Sequence, residues 1–335
     1  MIRALVLAAA LLGASSPAFA EESETQTFEA AAVAISSAMA AHHYDPASLD
    51  DPAYRAIENQ VAELARQPQT AKAFARGFNA IWREGPFSHV RLDPARGTAA
   101  DTAQYLDTLN AGEGAVSLSW EGDVAILAVN TMMGRDTIER IDTAYETIAE
   151  TGARALVIDL RENGGGAFAV KPLVSHLLAE PLDAGAFVSQ RWAREKGRAP
   201  TLEDISGVAP WTGWSVVAFW RDVQADLVTR IRFEPQEPVY AGPVYVLTSH
   251  DTASAAEMAA DALAASGRAK LVGERTAGQM LSQSLFDIPQ GLTLSLPVAD
   301  YYAFHTGRIE GRGVASDVEI EADEAMAKAL ELAGG

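Results

Sequence analysis

The stretch Val244–Met258 constrains the fold of this chain more than any other part of the sequence. A short apolar, β-rich run, Val244–Leu247, predicts a buried strand, and a polar turn follows it. An alanine-rich helix is predicted from Ser254 to about Ala265. A serine at such a turn stands on an exposed corner beside the positive end of a helix, which makes Ser254 a candidate nucleophile. The alternative interpretation is that Ser254 only caps the helix.

Strands and helices alternate upstream of this stretch. An amphipathic helix, Thr137–Thr151, precedes a continuous apolar strand, Ala155–Leu160, of the kind found in parallel sheets. Two further strands, Val116–Trp120 and Val124–Val129, are joined by a hairpin turn. This order of elements predicts an α/β layered fold.

Three consecutive glycines, Gly164, Gly165 and Gly166, follow the predicted strand Ala155–Leu160. Glycines in a turn expose backbone N–H groups without side-chain obstruction, and such groups can bind phosphate or stabilise an oxyanion. The dinucleotide and phosphate-loop glycine patterns are absent from the sequence. A plain flexible turn is the alternative.

A histidine, His89, follows the turn Gly85-Pro86-Phe87-Ser88 and leads into a short alternating run that predicts a strand. Imidazole is the side chain best suited to take a hydroxyl proton near neutral pH, so His89 is a candidate general base. A structural role among apolar neighbours is the alternative. Three other histidines remain possible bases: His176, His250 and His305.

Composition narrows the class of protein. The formal net charge of −19 over 335 residues argues against nucleic-acid binding and against docking on anionic lipid. The absence of cysteine excludes disulfides, a thiol nucleophile and thiolate zinc sites. Nothing in the sequence implies a metal or an organic cofactor, and the oligomeric state is not predicted.

Residues 1–20 have the pattern of a cleaved secretory signal. Arg3 supplies the positive start, Ala4–Leu12 is a short apolar run, and Ala18-Phe19-Ala20 is a small-residue cleavage site. The apolar run is too short for a membrane span, although a retained anchor helix is the alternative. We expect the mature protein to begin near Glu21 and to reside in a bacterial periplasm or outside the cell, with no later membrane span.

The domain organisation is predicted as a helical N-terminal domain, 21–92, followed by an α/β core, 93–335. Residues 93–113 are expected to be a polar connection, and adjacent His42 and His43 a solvated helix end rather than a metal site. An insertion at about 183–238 holds four of the six tryptophans. It is predicted to form either a lid or wall over the site or a separate hydrophobic cluster.

Four ordered motifs resemble those of the C-terminal processing (tail-specific) serine peptidase family. They cover about 155–317 and give a specific signal, and Tyr44-Asp45-Pro46 also looks like the family's N-terminal segment. The implied fold is a Clp-protease/crotonase-like βαβ spiral core with a small helical N-terminal domain. The motifs are Asp159-Leu160-Arg161-Glu162-Asn163-Gly164-Gly165-Gly166, Ser254-Ala255-Ala256-Glu257, Gly273-Glu274-Arg275-Thr276 and Glu310-Gly311-Arg312-Gly313-Val314.

Two departures place the resemblance in a particular branch. The processing peptidases proper use a Ser-Lys dyad, but Gln279 stands at the lysine position. Glutamine has no titratable amine, so a Ser-Lys dyad at this place is excluded. There is also no room for a PDZ domain. Both features resemble the branch of the tricorn core peptidases and the interphotoreceptor retinoid-binding protein modules.

The resemblance to tricorn-type members implies a role for each candidate residue. His89 takes the proton of Ser254, while Glu310, through Ser88 or directly, orients or tunes His89. The N–H groups of Ala255 and of Gly165 or Gly166 hold the oxyanion.

The implied function is that of a secreted serine-type peptidase acting on peptide or protein C-terminal substrates. The alternative is a weakly active or inactive module of the same fold that binds a small hydrophobic ligand, with tryptophans of the insertion lining the pocket. A scaffold role has no dedicated sequence feature.

Overall fold

The structure is a computed structural model that describes residues 25–334. The predicted signal sequence, 1–20, and the predicted mature N-terminus at Glu21 lie outside the described residues. Within 25–334, no helix has both the length and the apolarity needed to cross a membrane.

The described chain contains twelve strands and eleven α-helices. The strands are β1 (Arg91–Pro94), β2 (Val116–Glu121), β3 (Val124–Val129), β4 (Ala155–Asp159), β5 (Leu182–Ser189), β6 (Val228–Phe233), β7 (Val244–Thr248), β8 (Lys270–Gly273), β9 (Leu281–Ile288), β10 (Leu292–Ala303), β11 (Gly307–Arg308) and β12 (Val318–Glu319). The helices are α1 (Glu29–His42), α2 (Pro52–Ala65), α3 (Ala71–Trp82), α4 (Ala99–Thr108), α5 (Arg135–Thr151), α6 (Val170–Ser175), α7 (Gln190–Lys196), α8 (Leu202–Ser206), α9 (Val216–Ala225), α10 (Ala255–Ala265) and α11 (Ala325–Gly334).

One sheet is mainly parallel and has the strand order β12-β8-β7-β4-β3-β2, with only the β2–β3 hairpin antiparallel. Its strand β4 is buried on both faces because its side chains alternate between two cores. Leu156 and Ile158 face the main core, while Ala155 and Val157 pack in the cluster that contains residues of α11. Since β4 and β7 are parallel neighbours, the loops after their carboxyl ends lie at one edge of the sheet.

The other sheet is antiparallel and is built around the long strand β10, which pairs with β1, β5, β9 and β11. The strand β6 extends this sheet beyond β5. Strands β5 and β6 lie at the two ends of the tryptophan-rich segment, and helices α7, α8 and α9 lie between them in sequence.

The N-terminal helices pack on the antiparallel sheet. Helix α1 contacts β9 and β10, and α3 contacts β1. In the described part of the chain, the buried side chains of these helices belong to the same hydrophobic core as both sheets. Residues 25–92 therefore have no separate core of their own, although α1, α2 and α3 match the three helices expected from the sequence.

Two local expectations are corrected. The segment 93–113, predicted to be a polar connection, contains α4, which begins with a capping box between Thr98 and Asp101. His43, expected on a solvated helix end, is fully buried against the ring of Phe87, at a centroid distance of 4.2 Å. Its burial lowers the pKa of His43 to about 4. His42 is the exposed member of the pair.

Candidate active site

The turn between β7 and α10 presents Ser254 in an uncommon backbone conformation. Ser254 has φ 54° and ψ −120°, outside the regions that suit L-residues. The surrounding turn is fixed by hydrogen bonds to the loop after β4. The Thr252 hydroxyl donates to the Leu160 carbonyl at 2.9 Å, and the Ala253 N–H donates to the Asn163 carbonyl at 3.0 Å. The neighbouring loop therefore holds the serine at a strained corner.

The glycine turn passes against the serine with no space for a side chain. A Cβ on Gly165 would lie 2.6 Å from the Ser254 Cβ and 2.7 Å from the Ala253 carbonyl oxygen. Gly165 also has φ +91°, which favours glycine. Only glycine at this position lets the two loops approach so closely.

The N–H groups of this turn differ in their availability. The Gly165 N–H donates to Oδ1 of the fully buried Asn163 at 2.8 Å, so it is already used. The N–H groups of Gly166 and Ala255 donate to no atom of residues 25–334. Of the predicted oxyanion donors, Gly166 and Ala255 are thus available, while Gly165 contributes close approach.

Glu257 links the serine turn to the loop that follows β8. Its fully buried carboxylate accepts hydrogen bonds from the N–H of Ser254 at 3.0 Å and of Gln279 at 2.9 Å. It also accepts from the Thr276 hydroxyl at 2.6 Å and from the Gly278 N–H at 2.7 Å. Burial raises the pKa of the Glu257 carboxyl, and these hydrogen bonds oppose that rise.

Ser88, His89 and Glu310 form a hydrogen-bonded chain. The Ser88 N–H donates to Glu310 Oε1 at 2.9 Å, and the Ser88 hydroxyl donates to Glu310 Oε2 at 3.0 Å. The same hydroxyl lies 2.6 Å from His89 Nδ1. Glu310 is buried and also accepts from the Met280 N–H at 2.7 Å. The structure thus brings Glu310 against the adjacent pair Ser88 and His89, although 222 positions separate Glu310 from Ser88.

This chain selects one tautomer of His89. An ionised carboxylate can only accept, so the single Ser88 hydroxyl proton points to Glu310. Nδ1 of His89 must then carry a proton and donate it to the Ser88 oxygen, which leaves Nε2 as an acceptor. Burial lowers the pKa of His89 to about 4, so the ring is neutral at pH 7. A neutral imidazole with a free Nε2 is the form that a general base requires.

His89 and Ser254 share an unusual backbone property. In residues 25–334, positive φ occurs at three non-glycine positions, of which two are His89, at 63°, and Ser254, at 54°. Such conformations cost on the order of 1–3 kcal/mol each and cluster at functional sites.

A cavity of about 460 Å³ contains both His89 and Ser254 in its walls. The glycine turn and Ala255 line it as well. The rest of the wall is largely apolar and includes Trp211 and Trp220 of the tryptophan-rich segment. That segment forms part of the cavity wall, and it also forms a separate hydrophobic cluster around Trp192.

The other candidate bases lie elsewhere. His176 is buried outside the cavity, where its Nε2 lies 3.0 Å from Asp142 Oδ1 and its Nδ1 lies 2.9 Å from the Pro238 carbonyl oxygen. His250 and His305 are exposed and do not line the cavity. The side chain of Gln279, at the position of the family lysine, is likewise absent from the cavity wall.

Residue-level reasoning missed the roles of Asn163 and Glu257, although both stand in quoted motifs. Both are polar residues in stretches of small or apolar residues. A polar group buried in such a stretch is normally hydrogen-bonded, and this was the available signal. It also missed Lys171, which lines the cavity and sits among aromatic rings.

The sequence pattern of peptidase family S41 matches residues 123–320. The chain belongs to that family. The family prediction from the sequence motifs is therefore confirmed.

Curated relatives of this S41 chain include processing peptidases. The chain is 31% identical over 154 residues to a carboxyl-terminal-processing protease of Picosynechococcus sp., a match that covers 46% of this chain and 29% of that protein. It is 27% identical over 186 residues to the chloroplastic C-terminal processing peptidase of Tetradesmus obliquus, covering 56% and 33%. The matched part thus spans about a third of the length of these relatives.

Solved structures support the predicted α/β fold. A lipoprotein from Streptococcus agalactiae aligns over 92% of this chain and 96% of its own, with a TM-score of 0.57 and 15% identity. The photosystem II D1 C-terminal processing protease aligns over 89% and 94%, with a TM-score of 0.52 and 16% identity. The α/β fold expected from the sequence is confirmed.

Proposed function

We propose that this S41 chain is a serine peptidase with a Ser-His-based rather than a Ser-Lys active site. The observation that carries the proposal is the Ser88–His89–Glu310 chain, which faces the cavity that also holds Ser254. A serine hydroxyl is a weak nucleophile, and an oriented neutral imidazole is the usual means of activating it. Gln279, at the lysine position, cannot do so.

The proposed reaction has two steps. In the first, the Ser254 oxygen attacks the scissile carbonyl as His89 Nε2 takes its proton, and the C–N bond breaks as that proton passes to the leaving amine. In the second, a water molecule attacks the acyl carbonyl as His89 takes its proton, and the ester C–O bond breaks as His89 returns that proton to the Ser254 oxygen. The N–H groups of Ala255 and Gly166 bind the oxyanion in both steps.

The proposed substrates are peptides or proteins cleaved near their C-termini. Two observations support this: membership of the S41 family, and the names of curated relatives, which are C-terminal processing peptidases. We further propose that the protein is exported after removal of the signal at 1–20, and that it acts in the periplasm or outside the cell. The charge pattern and cleavage motif of that segment support export.

Digestion of a reduced, unfolded protein by mature wild type and by Ser254→Ala tests the activity. Mass spectrometry of the products should show peptides shortened from their C-termini with wild type and none with the variant. Products made equally by both proteins would contradict the proposal.

A second candidate function is binding of a small hydrophobic ligand, favoured by the largely apolar lining of the cavity. Native mass spectrometry of the purified protein checks it. A bound apolar molecule, together with no cleavage of any peptide or ester, would favour this function over the peptidase.

A further inference from the structure

Lys171 occupies an unusual position in the cavity wall. It follows the glycine turn, at the start of α6, and its ammonium lies over three aromatic rings. The distances from Nζ to the ring centroids are 5.5 Å for Phe168, 5.0 Å for Trp211 and 4.4 Å for Trp214. Nζ also donates to the Gly213 carbonyl oxygen at 2.6 Å. An aromatic cage of this kind fixes the position of a cation.

The ammonium has no carboxylate partner. Among the described residues, no Asp or Glu oxygen lies within 4.0 Å of Lys171 Nζ. Unlike Lys270, which is exposed, Lys171 is partly buried, so water compensates its charge less completely. Partial burial lowers the pKa of Lys171 to about 8, so the side chain still carries its charge at pH 7. Within residues 25–334, the Gly213 carbonyl is the one oxygen that accepts from this ammonium, so two of its three N–H groups meet only the aromatic faces.

The rest of the cavity contains no compensating charge. Of the residues that line it, only His89 and Lys171 are titratable, and none is acidic. His89 is neutral at pH 7, so Lys171 carries the only formal charge on this wall. A partly desolvated cation in an apolar pocket is best completed by an anion from the ligand, because a charge-assisted hydrogen bond replaces lost hydration.

We infer that Lys171 is a specificity-determining residue that binds a carboxylate of the substrate in the aromatic cavity beside Ser254. The carboxylate is either the free C-terminus of the chain or an acidic side chain near it. This inference rests on the proposed function for its substrate class, but carboxylate binding itself requires no turnover.

A merely structural lysine is the competing explanation, in which Nζ only anchors the loop at Gly213. That explanation predicts weaker binding of all ligands alike when Lys171 is replaced. Recognition of a carboxylate instead predicts a change in the ratio between charged and uncharged ligands, which is the quantity to measure.

The test uses isothermal titration calorimetry with three hexapeptides. They are Ala-Leu-Ala-Leu-Ala-Leu with a free C-terminus, its C-terminal amide, and the amide with glutamate as the last residue. All proteins in the titration carry Ser254→Ala, so that no peptide is hydrolysed. They are the otherwise wild-type chain, Lys171→Met, Lys171→Arg and, as a matched control, Lys270→Met on an exposed position of β8.

The otherwise wild-type chain and Lys270→Met should bind at least one carboxylate peptide about tenfold more tightly than the uncharged amide. Lys171→Met should reduce that ratio to about one, and Lys171→Arg should keep part of it, since the charge remains. A preference for the free C-terminus alone identifies the terminal carboxylate, and a preference for the glutamate amide identifies an acidic side chain.

Equal affinity of the otherwise wild-type chain for the three peptides, no measurable binding of any of them, or a preference that survives Lys171→Met would overturn the inference. Hydrolysis of p-nitrophenyl butyrate by wild type and Ser254→Ala is measured in parallel. If wild type does not hydrolyse the ester but the preference for carboxylate peptides is still observed, the catalytic proposal is refuted and the Lys171 inference stands.

Discussion

The two strained turns of the active site are held in different ways. The turn at Ser254 belongs to the parallel sheet and is fixed by many bonds, through Thr252, Ala253 and the buried Glu257. The turn at His89 leads into the antiparallel sheet and depends on Glu310, which holds Ser88 by two hydrogen bonds. The comparison indicates that several contacts position the proposed nucleophile, whereas one carboxylate positions the proposed base.

The largest expected effect is the loss of either reacting side chain. Ser254→Ala and His89→Ala should each lower kcat by about 10⁴-fold or more, because nucleophile and base act as one unit. The double variant should be no worse than either single one. Steady-state kinetics on a cleaved peptide or ester measures this, with circular dichroism as the control for folding. Additive losses would show that the two residues act separately.

Replacing each of the two buried glutamates distinguishes the effects of the two turns. Glu310→Gln should lower kcat by about 10²–10⁴-fold, since the orientation and tautomer of His89 lose their anchor. Glu257→Gln leaves an amide N–H₂ facing backbone donors and should mainly reduce the free energy of unfolding, by about 1–3 kcal/mol. Denaturant unfolding and kinetics are measured on both variants. The comparison fails if Glu310→Gln destabilises the fold more than Glu257→Gln does.

The close approach of the glycine turn gives a smaller but specific effect. Gly165→Ala places a methyl 2.6 Å from the Ser254 Cβ at a strained φ, so kcat should fall about 10²-fold. Gly207→Ala is the matched control, because a Cβ there meets nothing within 4 Å. Equal kinetics for the two variants would show that the glycine turn does not position Ser254.

The smallest effect is a displacement of the pH profile. Burial lowers the pKa of His89 to about 4, and the neutral ring is the proposed base. The rate constant kcat/KM should therefore stay high below pH 6.5 and fall only as the pH drops through the lowered pKa. Glu310→Gln removes a nearby negative charge and should move this acid limb to still lower pH. An acid limb at or above pH 6.5 would contradict a partly buried, neutral His89.

The sequence predicted much of the fold because buried strands and amphipathic helices have recognisable local patterns of apolar residues. The apolar runs of β4 and β7 and the helix at Ser254 lie close to where they were expected. Strand β9 and the pairing around β10 were not predicted, since strand pairing between distant segments leaves no local pattern.

In the candidate site, too, the sequence predicted the residues but not all of their contacts. Ser254, His89, Ser88 and Glu310 were candidates from the motifs, but the sequence left open whether Glu310 acts on His89 directly or through Ser88. The hydrogen bonds of the structure run through Ser88. The use of the Gly165 N–H by Asn163 and the aromatic cage of Lys171 also required coordinates. Both depend on loops whose conformation is set by the packing of other elements.

The most direct test of a Ser-His site is labelling of the mature protein with a fluorophosphonate probe, which reacts only with activated serines. Wild type and His250→Ala should be labelled at Ser254, and His89→Ala and Ser254→Ala should not. Labelling that survives His89→Ala but is lost in His250→Ala or Lys171→Met would contradict the account and assign the base to another residue.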